Sequence, residues 1–221
     1  MTGQYRYTLG RRTWVRKIEG PLAPDGTTGG KKTIPGLLLA GSAQIAPFDH
    51  NTWTGNDDLS IRLRLGHDGK FLHITAVARD DRHFGSPDPR RPERGDCLQL
   101  AFDPLLNHLT DKPGRDDDDF VLTAALTKAG PVCRVTEGKD RPELQNIACD
   151  ISRDDQKGTT TYQIRLPLAA LGPAGRSGAF FGFDFRLNDD DTGGGPDCWV
   201  FWRNTFDGKG HPERGEICLL E

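Results

Sequence analysis

No apolar run in this chain approaches the roughly 18 residues that a bilayer-spanning helix requires. The opening residues, MTGQYRYTLGRR, hold no apolar stretch, so no signal peptide is read here. None of the five cysteines (Cys97, Cys133, Cys149, Cys198 and Cys218) forms a CxxC pair, which argues against a structural zinc clip. Charge of one sign is not in excess either. The formal net charge of −3 points neither to nucleic acid nor to an anionic membrane as a partner. Nucleophile elbows, HExxH, P-loops and a GxGxxG after a strand are all missing. Six dispersed histidines and 32 acidic residues select no acid–base pair. A non-catalytic binding domain is therefore expected, with an enzyme of dispersed acid and base residues as an alternative.

What is present is alternation. Hydrophobic residues make up 35% and charged ones 28%, enough for a core with little apolar surface left over. Leu59-Ser60-Ile61-Arg62-Leu63-Arg64-Leu65 has one aliphatic face and one of Ser and Arg, and the turn Gly66-His67-Asp68-Gly69 follows. Such period-two runs closed by turn residues signal half-buried antiparallel strands. They predict strands near 12–19, 37–45, 58–65, 70–79, 96–102, 120–127, 131–135, 145–151, 160–166, 180–187, 198–203 and 215–220. The one helical hint, Leu168 to Leu171, is stopped by Gly172-Pro173. Together these predict an all-β fold: an antiparallel two-sheet β-sandwich of jelly-roll type with long loops. Residues 1–48 alternate less and are expected to be an extension adding edge strands to a sandwich of residues 49–221. The cysteines read mostly as small buried apolar residues; one or two disulfides stay open, with at least one thiol left over in a monomer.

Three constellations carry chemistry. The segment from Asp80 to Arg94 holds four arginines and His83. It reads either as a solvated loop or as guanidinium forks for carboxylate or sulfate, with Arg82, Arg91 and Arg94 the candidates. Asp116, Asp117, Asp118 and Asp119 precede a strand, and Asp189 and Asp191 lie before a Gly-rich turn. Adjacent carboxylates repel unless a cation or arginine neutralises them, and calcium takes 6–8 oxygen ligands from such loops. The EF-hand spacing is absent. Finally, Trp199 and Trp202 point to opposite faces if residues 198–203 form a strand, so one is expected in the core.

Motif order then suggests a family. WTGNDDLSIRLRL, LHITAVARDD, RGDCLQLAFD, DDDDFVL, TYQIRLPLAALG, FFGFDFRLNDDD, a W-x-x-W and HPERGEICLL follow one another. Over roughly residues 49–221 this resembles family 9 carbohydrate-binding modules and the DOMON-like sandwiches around them. The resemblance implies a calcium-stabilised sandwich that holds a polysaccharide or oligosaccharide between two tryptophans. It also implies a secreted or periplasmic setting beside a catalytic glycoside-active domain. DOMON-type haem binding commonly uses a Met ligand, and the only Met here is Met1.

The chain departs from the binders' pattern at the sugar site. Glu93 stands where they carry a Trp, Gln99 where they carry a Glu, and Val121 where they carry an Arg; residues 204–211 hold no Trp. Loss of both aromatic planes removes the apolar part of sugar binding. The expected ligand contacts are therefore Arg82, Arg91, Arg94, Gln99, Asn188 and Trp202, and an acidic glycan is the expected ligand. A structural or interaction module without its own sugar site is the alternative.

Overall fold

A computed structural model describes residues 12–29, 33–40, 45–47, 53–106, 117–203 and 216–221. Its strands are β1 (Arg12–Lys17), β2 (Leu37–Leu39), β3 (Ile45–Pro47), β4 (Leu59–His67) and β5 (Phe71–Asp80). Next come β6 (Cys97–Asp103), β7 (Phe120–Thr127), β8 (Gly130–Gly138) and β9 (Ala148–Asp154). The last are β10 (Thr159–Pro167), β11 (Phe180–Asp189), β12 (Cys198–Phe201) and β13 (Glu216–Leu220). Short 3₁₀ turns at Pro92–Arg94, Pro142–Asn146 and Leu168–Gly175 are the helical elements among the described residues.

The all-β expectation is met, but two separate sheets are not what forms. Hydrogen bonding runs along one path, β8-β7-β6-β11-β13-β1-β4-β5-β10-β9, nearly closed into a barrel-like shape. The join is β1. Its first four residues pair with β13 and its last two with β4, both in parallel. The first strand is thus interior to the path, and among the described residues β2 pairs with β4 and β3 with β12. β9 begins three residues later than the alternation suggested, because Pro142 opens a 3₁₀ turn that carries the chain through Asn146.

Alternation decides which side chains fill the interior. In β11, Phe181, Phe183, Phe185 and Leu187 are buried in the core, with Asp184, Arg186 and Asn188 between them. Phe102 stacks on Phe120 with ring centroids 4.7 Å apart, and Phe183 tilts against both Phe102 and Phe185. Each fully buried Phe or Leu contributes on the order of 1.5–3 kcal/mol by leaving water. This aromatic layer lies directly beneath β6 and β11 and stiffens the sheet whose other face carries the polar site. No helix among the described residues is long and apolar enough to cross a membrane.

Candidate functional site

Strand register assembles the site. Arg134 of β8 lies opposite Thr123 of β7, which lies opposite Gln99 of β6, which lies opposite Arg186 of β11. Residues directly opposite one another share a face, so one row of polar side chains crosses four strands. Gln99 is 3% exposed and is used at both ends. Its Oε1 accepts from Arg186 Nε at 3.0 Å and from Arg186 Nη2, and its Nε2 donates to Thr123 Oγ1 at 3.4 Å. Thr123 in turn shares a hydrogen bond with Thr136 of β8 at 2.8 Å. The Arg186 guanidinium also lies over the Trp199 ring, 5.3 Å from its centroid.

The arginine-rich loop arches over this row. Arg134 Nη1 donates to the Arg90 carbonyl at 3.2 Å, and Asn188 Nδ2 donates to the Glu93 carbonyl at 3.4 Å. Within the loop, Ser86 Oγ donates to the Arg91 carbonyl at 2.8 Å. A cleft of about 230 Å³ results, lined by Arg90, Arg91, Glu93, Gln99, Arg134 and Glu137 together with Val135 and Thr136. Burial pulls the Arg186 guanidinium below its usual value. Asn188 Oδ1 is buried and accepts no hydrogen bond. A buried acceptor left unmade costs about 1–3 kcal/mol, so this atom invites a donor from outside the protein.

The loop is held at its base by buried charge. His83 Nε2 donates to the Leu126 carbonyl at 3.1 Å, while its Nδ1 lies 3.1 Å from Asp96 and 3.6 Å from Asp80. Two carboxylates within 3.6 Å of Nδ1 and a carbonyl at Nε2 favour the charged, imidazolium form of the ring. Burial opposes that charge, but the bonds to Asp80 and Asp96 lift His83 to about 10. Burial pushes Asp96 the other way, up to about 6, with His83 pulling it back. His83 stays the more basic of the two, so the proton they share sits on the imidazole. Arg153 closes the network with Nη1 3.1 Å from Asp80.

Next to this network lies the acidic cluster. One ligand atom each from Asp58, Asp189 and Asp191 lie within 4.8 Å of one another, and Asp80, Asp81 and Asp191 form a second such group. Burial first, then the charges of Asp96, Asp80 and Asp191, push Asp189 up to about 9. Burial and Asp81 push Asp191 up to about 6. Asp189 Oδ1 and Asp191 Oδ1 are buried and accept no hydrogen bond. Hard oxygen donors gathered from strand ends and loops, with no cationic side chain answering Asp58 or Asp189 among the described residues, fit a divalent cation of the calcium type. A third group, Asp103, Asp118 and Asp119, meets across the ends of β6 and β7.

Of the residues singled out in the sequence, Arg91 and Gln99 line the cleft, and Asn188 borders it through Glu93. Arg94 is exposed beside it, and exposed Arg82 stands instead near Asp191. Trp202 is not at the cleft. It packs on Phe183 and Phe185 and borders another cleft, of about 350 Å³, with Trp14, Pro35 and Leu65. Asp118, Asp119, Asp189 and Asp191 enter carboxylate groups; Asp117 is exposed and paired with Lys139 at 2.5 Å; Asp116 lies outside the described residues. Sequence reasoning missed Arg134, Arg186, Trp199, Asp58, Asp80 and Asp81. A wider cleft of about 640 Å³ opens between Arg16, Glu19, Thr28 and Glu221, away from this row. It lacks the buried, strand-fixed polar groups that orient a ligand.

No family model matches the sequence, and no curated protein matches it. Solved structures do match in shape. A family 9 carbohydrate-binding module from Caldicellulosiruptor kristjanssonii in complex with cellotriose aligns with a TM-score of 0.66 at 15% identity. That alignment covers 96% of this chain and 94% of the module. The structure of such a module from the same organism in complex with glucose also gives 0.66, at 13% identity and 96% of both chains. A protein from Bacteroides uniformis gives 0.55 at 14% identity, over 96% of this chain and 100% of its own. The fold is thus that of the family 9 carbohydrate-binding modules.

Proposed function

We propose that this chain is a non-catalytic sugar-binding module whose cleft takes an acidic saccharide, with calcium bound in the adjacent carboxylate cluster. The observation that carries the reading is the row Arg134–Thr123–Gln99–Arg186, roofed by the arginine loop, with Asn188 Oδ1 unsatisfied beside it. The fold shared with modules solved in complex with cellotriose and glucose supports sugar as the ligand class. Its acidic character rests on charge. Arg90 and Arg91 at the cleft are held by Asp88 and Glu93, while Arg134 lines it and Arg186 backs it through Gln99, and guanidinium forks match carboxylate and sulfate oxygens. A sugar carboxylate near Arg186 offsets the desolvation of that guanidinium, while a ring hydroxyl supplies the donor that Asn188 lacks.

Calcium has a mechanical role in this reading. Asp80 belongs both to the carboxylate cluster and to the His83 network beneath the loop. Neutralising the cluster therefore steadies the loop that roofs the cleft, without the ion touching the sugar. Polysaccharide is the expected natural partner, in a secreted or periplasmic setting beside a glycoside-active domain. A second reading, docking onto such a domain without a sugar, draws on Trp14, which is 56% exposed beside the Trp202 cleft.

The test is a glycan array of neutral, uronic and sulfated saccharides, run with calcium and again with chelator. Binding to the acidic members that weakens in salt and after Arg186→Ala is expected. Silence across the array from folded protein sinks the sugar reading and favours the docking one.

A further inference from the structure

Hydrogen bonding runs from β8 to β9 the long way round, and these two strands are the open ends of that path. They nevertheless face each other across a seam, and each presents one cysteine there. Cys133 of β8 lies opposite the core residue Ala124, and Cys149 of β9 lies opposite the core residue Ile164. Opposite residues share a face, so both thiols point inward, and both pack partly buried against the main core. The two sulfurs are close enough for one thiol to hydrogen-bond the other.

We propose that Cys133 and Cys149 form a disulfide that closes the seam between the two open strands. The other thiols do not compete. Cys97, Cys198 and Cys218 are fully buried inside the sheet, and burial pushes the Cys97 and Cys198 thiols far up. Cys149 has what an attacking thiol needs. It borders an open cleft of about 460 Å³, and hydrogen bonding from Cys133 favours its thiolate. The oxidant is a small-molecule or protein disulfide. The Cys149 thiolate attacks one of its sulfurs, its S–S bond breaks, and one thiolate leaves. The Cys133 thiolate then attacks Cys149 Sγ, the Sγ–Sγ bond forms, and the second thiolate leaves. Two electrons pass to the oxidant, and the two thiol protons end on its thiolates or in water. The bond would tie β8, which carries Arg134, Thr136 and Glu137, to the far half of the sheet without touching the cleft.

The experiment incubates the full chain with oxidised glutathione, then unfolds it and counts thiols with a maleimide mass tag. Three of the five thiols are expected to remain, one peptide pair to join Cys133 to Cys149, and the melting temperature to rise by about 5–10 °C. Cys133→Ser should stop at the first step, with glutathione held on Cys149, seen as one added glutathione mass and no joined peptide pair. Five free thiols in the treated wild type overturn the proposal. So does a linkage through Cys97, Cys198 or Cys218, or one between two molecules. The count is made on unfolded wild-type protein and needs no sugar, so it stands apart from the fate of the glycan reading.

Discussion

Gln99 and Arg186 hold each other across adjacent strands, Oε1 accepting from Nε and from Nη2 of one guanidinium. That pairing keeps a cation inside the sheet face without cancelling its charge. A carboxylate in the same place would cancel it. Gln99→Glu is expected to weaken binding of uronic or sulfated saccharides by about tenfold, since one repulsive charge is worth roughly 1.4 kcal/mol here. Neutral sugars should bind as well or better. Calorimetry with matched neutral and acidic oligosaccharides reads the difference; equal losses for both would detach Gln99 from charge selection.

The carboxylate cluster sets a pH dependence whose direction is fixed. In metal-free protein the folded pKa of Asp189, about 9, and of Asp191, about 6, lie above the ordinary Asp value. The unfolded chain therefore gives up these protons first, and stability falls as pH rises from about 4 toward 9. Chelated protein should melt about 5 °C lower at pH 8 than at pH 5, and calcium should restore more at pH 8. Asp189→Asn is expected to flatten that slope, stabilise the chelated form at pH 8 and abolish the calcium response. Thermal melts of both proteins at the two pH values decide it.

Removing His83 should be expensive. His83→Leu leaves Asp80 and Asp96 facing one another in a buried space, with Arg153 answering only Asp80. Breaking a buried ion pair by deleting one partner costs on the order of 3–5 kcal/mol. Because the raised His83 pKa contributes stability below about pH 6.5 that is lost as pH passes 10, the gap from wild type should be full at pH 6 and narrow in strong base. Urea unfolding at pH 6 and above pH 10 checks both the size and the sign.

Gly95 is where the arginine loop turns back into β6. A Cβ there would lie 2.4 Å from the Phe84 carbonyl oxygen and 2.6 Å from the Ser86 nitrogen. Both are backbone atoms and cannot swing aside, so Gly95→Ala must displace the loop. A stability loss of about 1–3 kcal/mol is expected, with sugar affinity falling alongside. Amide hydrogen exchange should show the change confined to residues 84–96; a variant with unaltered exchange and affinity would show that the loop does not shape the cleft.

The strands were legible in the sequence because half-buried pairing writes itself as alternation, and β4, β5, β10 and β11 alternate cleanly. Phe181, Phe183, Phe185 and Leu187 point inward, which already sends Arg186 and Asn188 outward. Naming Arg186 as a site residue needed one thing more, the β6–β11 register that sets it against Gln99. Spacing alone sends Trp199 and Trp202 to opposite faces and does not say which face is which. The neighbours Cys198 and Val200, both buried, were the available signal that Trp199 turns out. The carboxylate cluster was half legible. Asp189 and Asp191 lie in an obvious acidic run, but Asp58, Asp80 and Asp81 come from the ends of β4 and β5, and only folding brings them together. The parallel pairing of β1 had no local signature, since it depends on a strand at the far end of the chain.

That pairing carries a consequence for how the molecule is made. Arg12 is bonded in register with Ile217, so the strand that joins the two halves of the sheet finds one of its neighbours only after about two hundred further residues have left the ribosome. Until then Arg12–Val15 of β1 and Phe180–Phe183 of β11 each lack the partner that β13 supplies to both. Contacts this distant in sequence make folding slow, on the millisecond-to-second scale of the most non-local β proteins or beyond. During synthesis the half-made sheet is an adhesive edge, and overproduction at low temperature or with a chaperone should recover more of it.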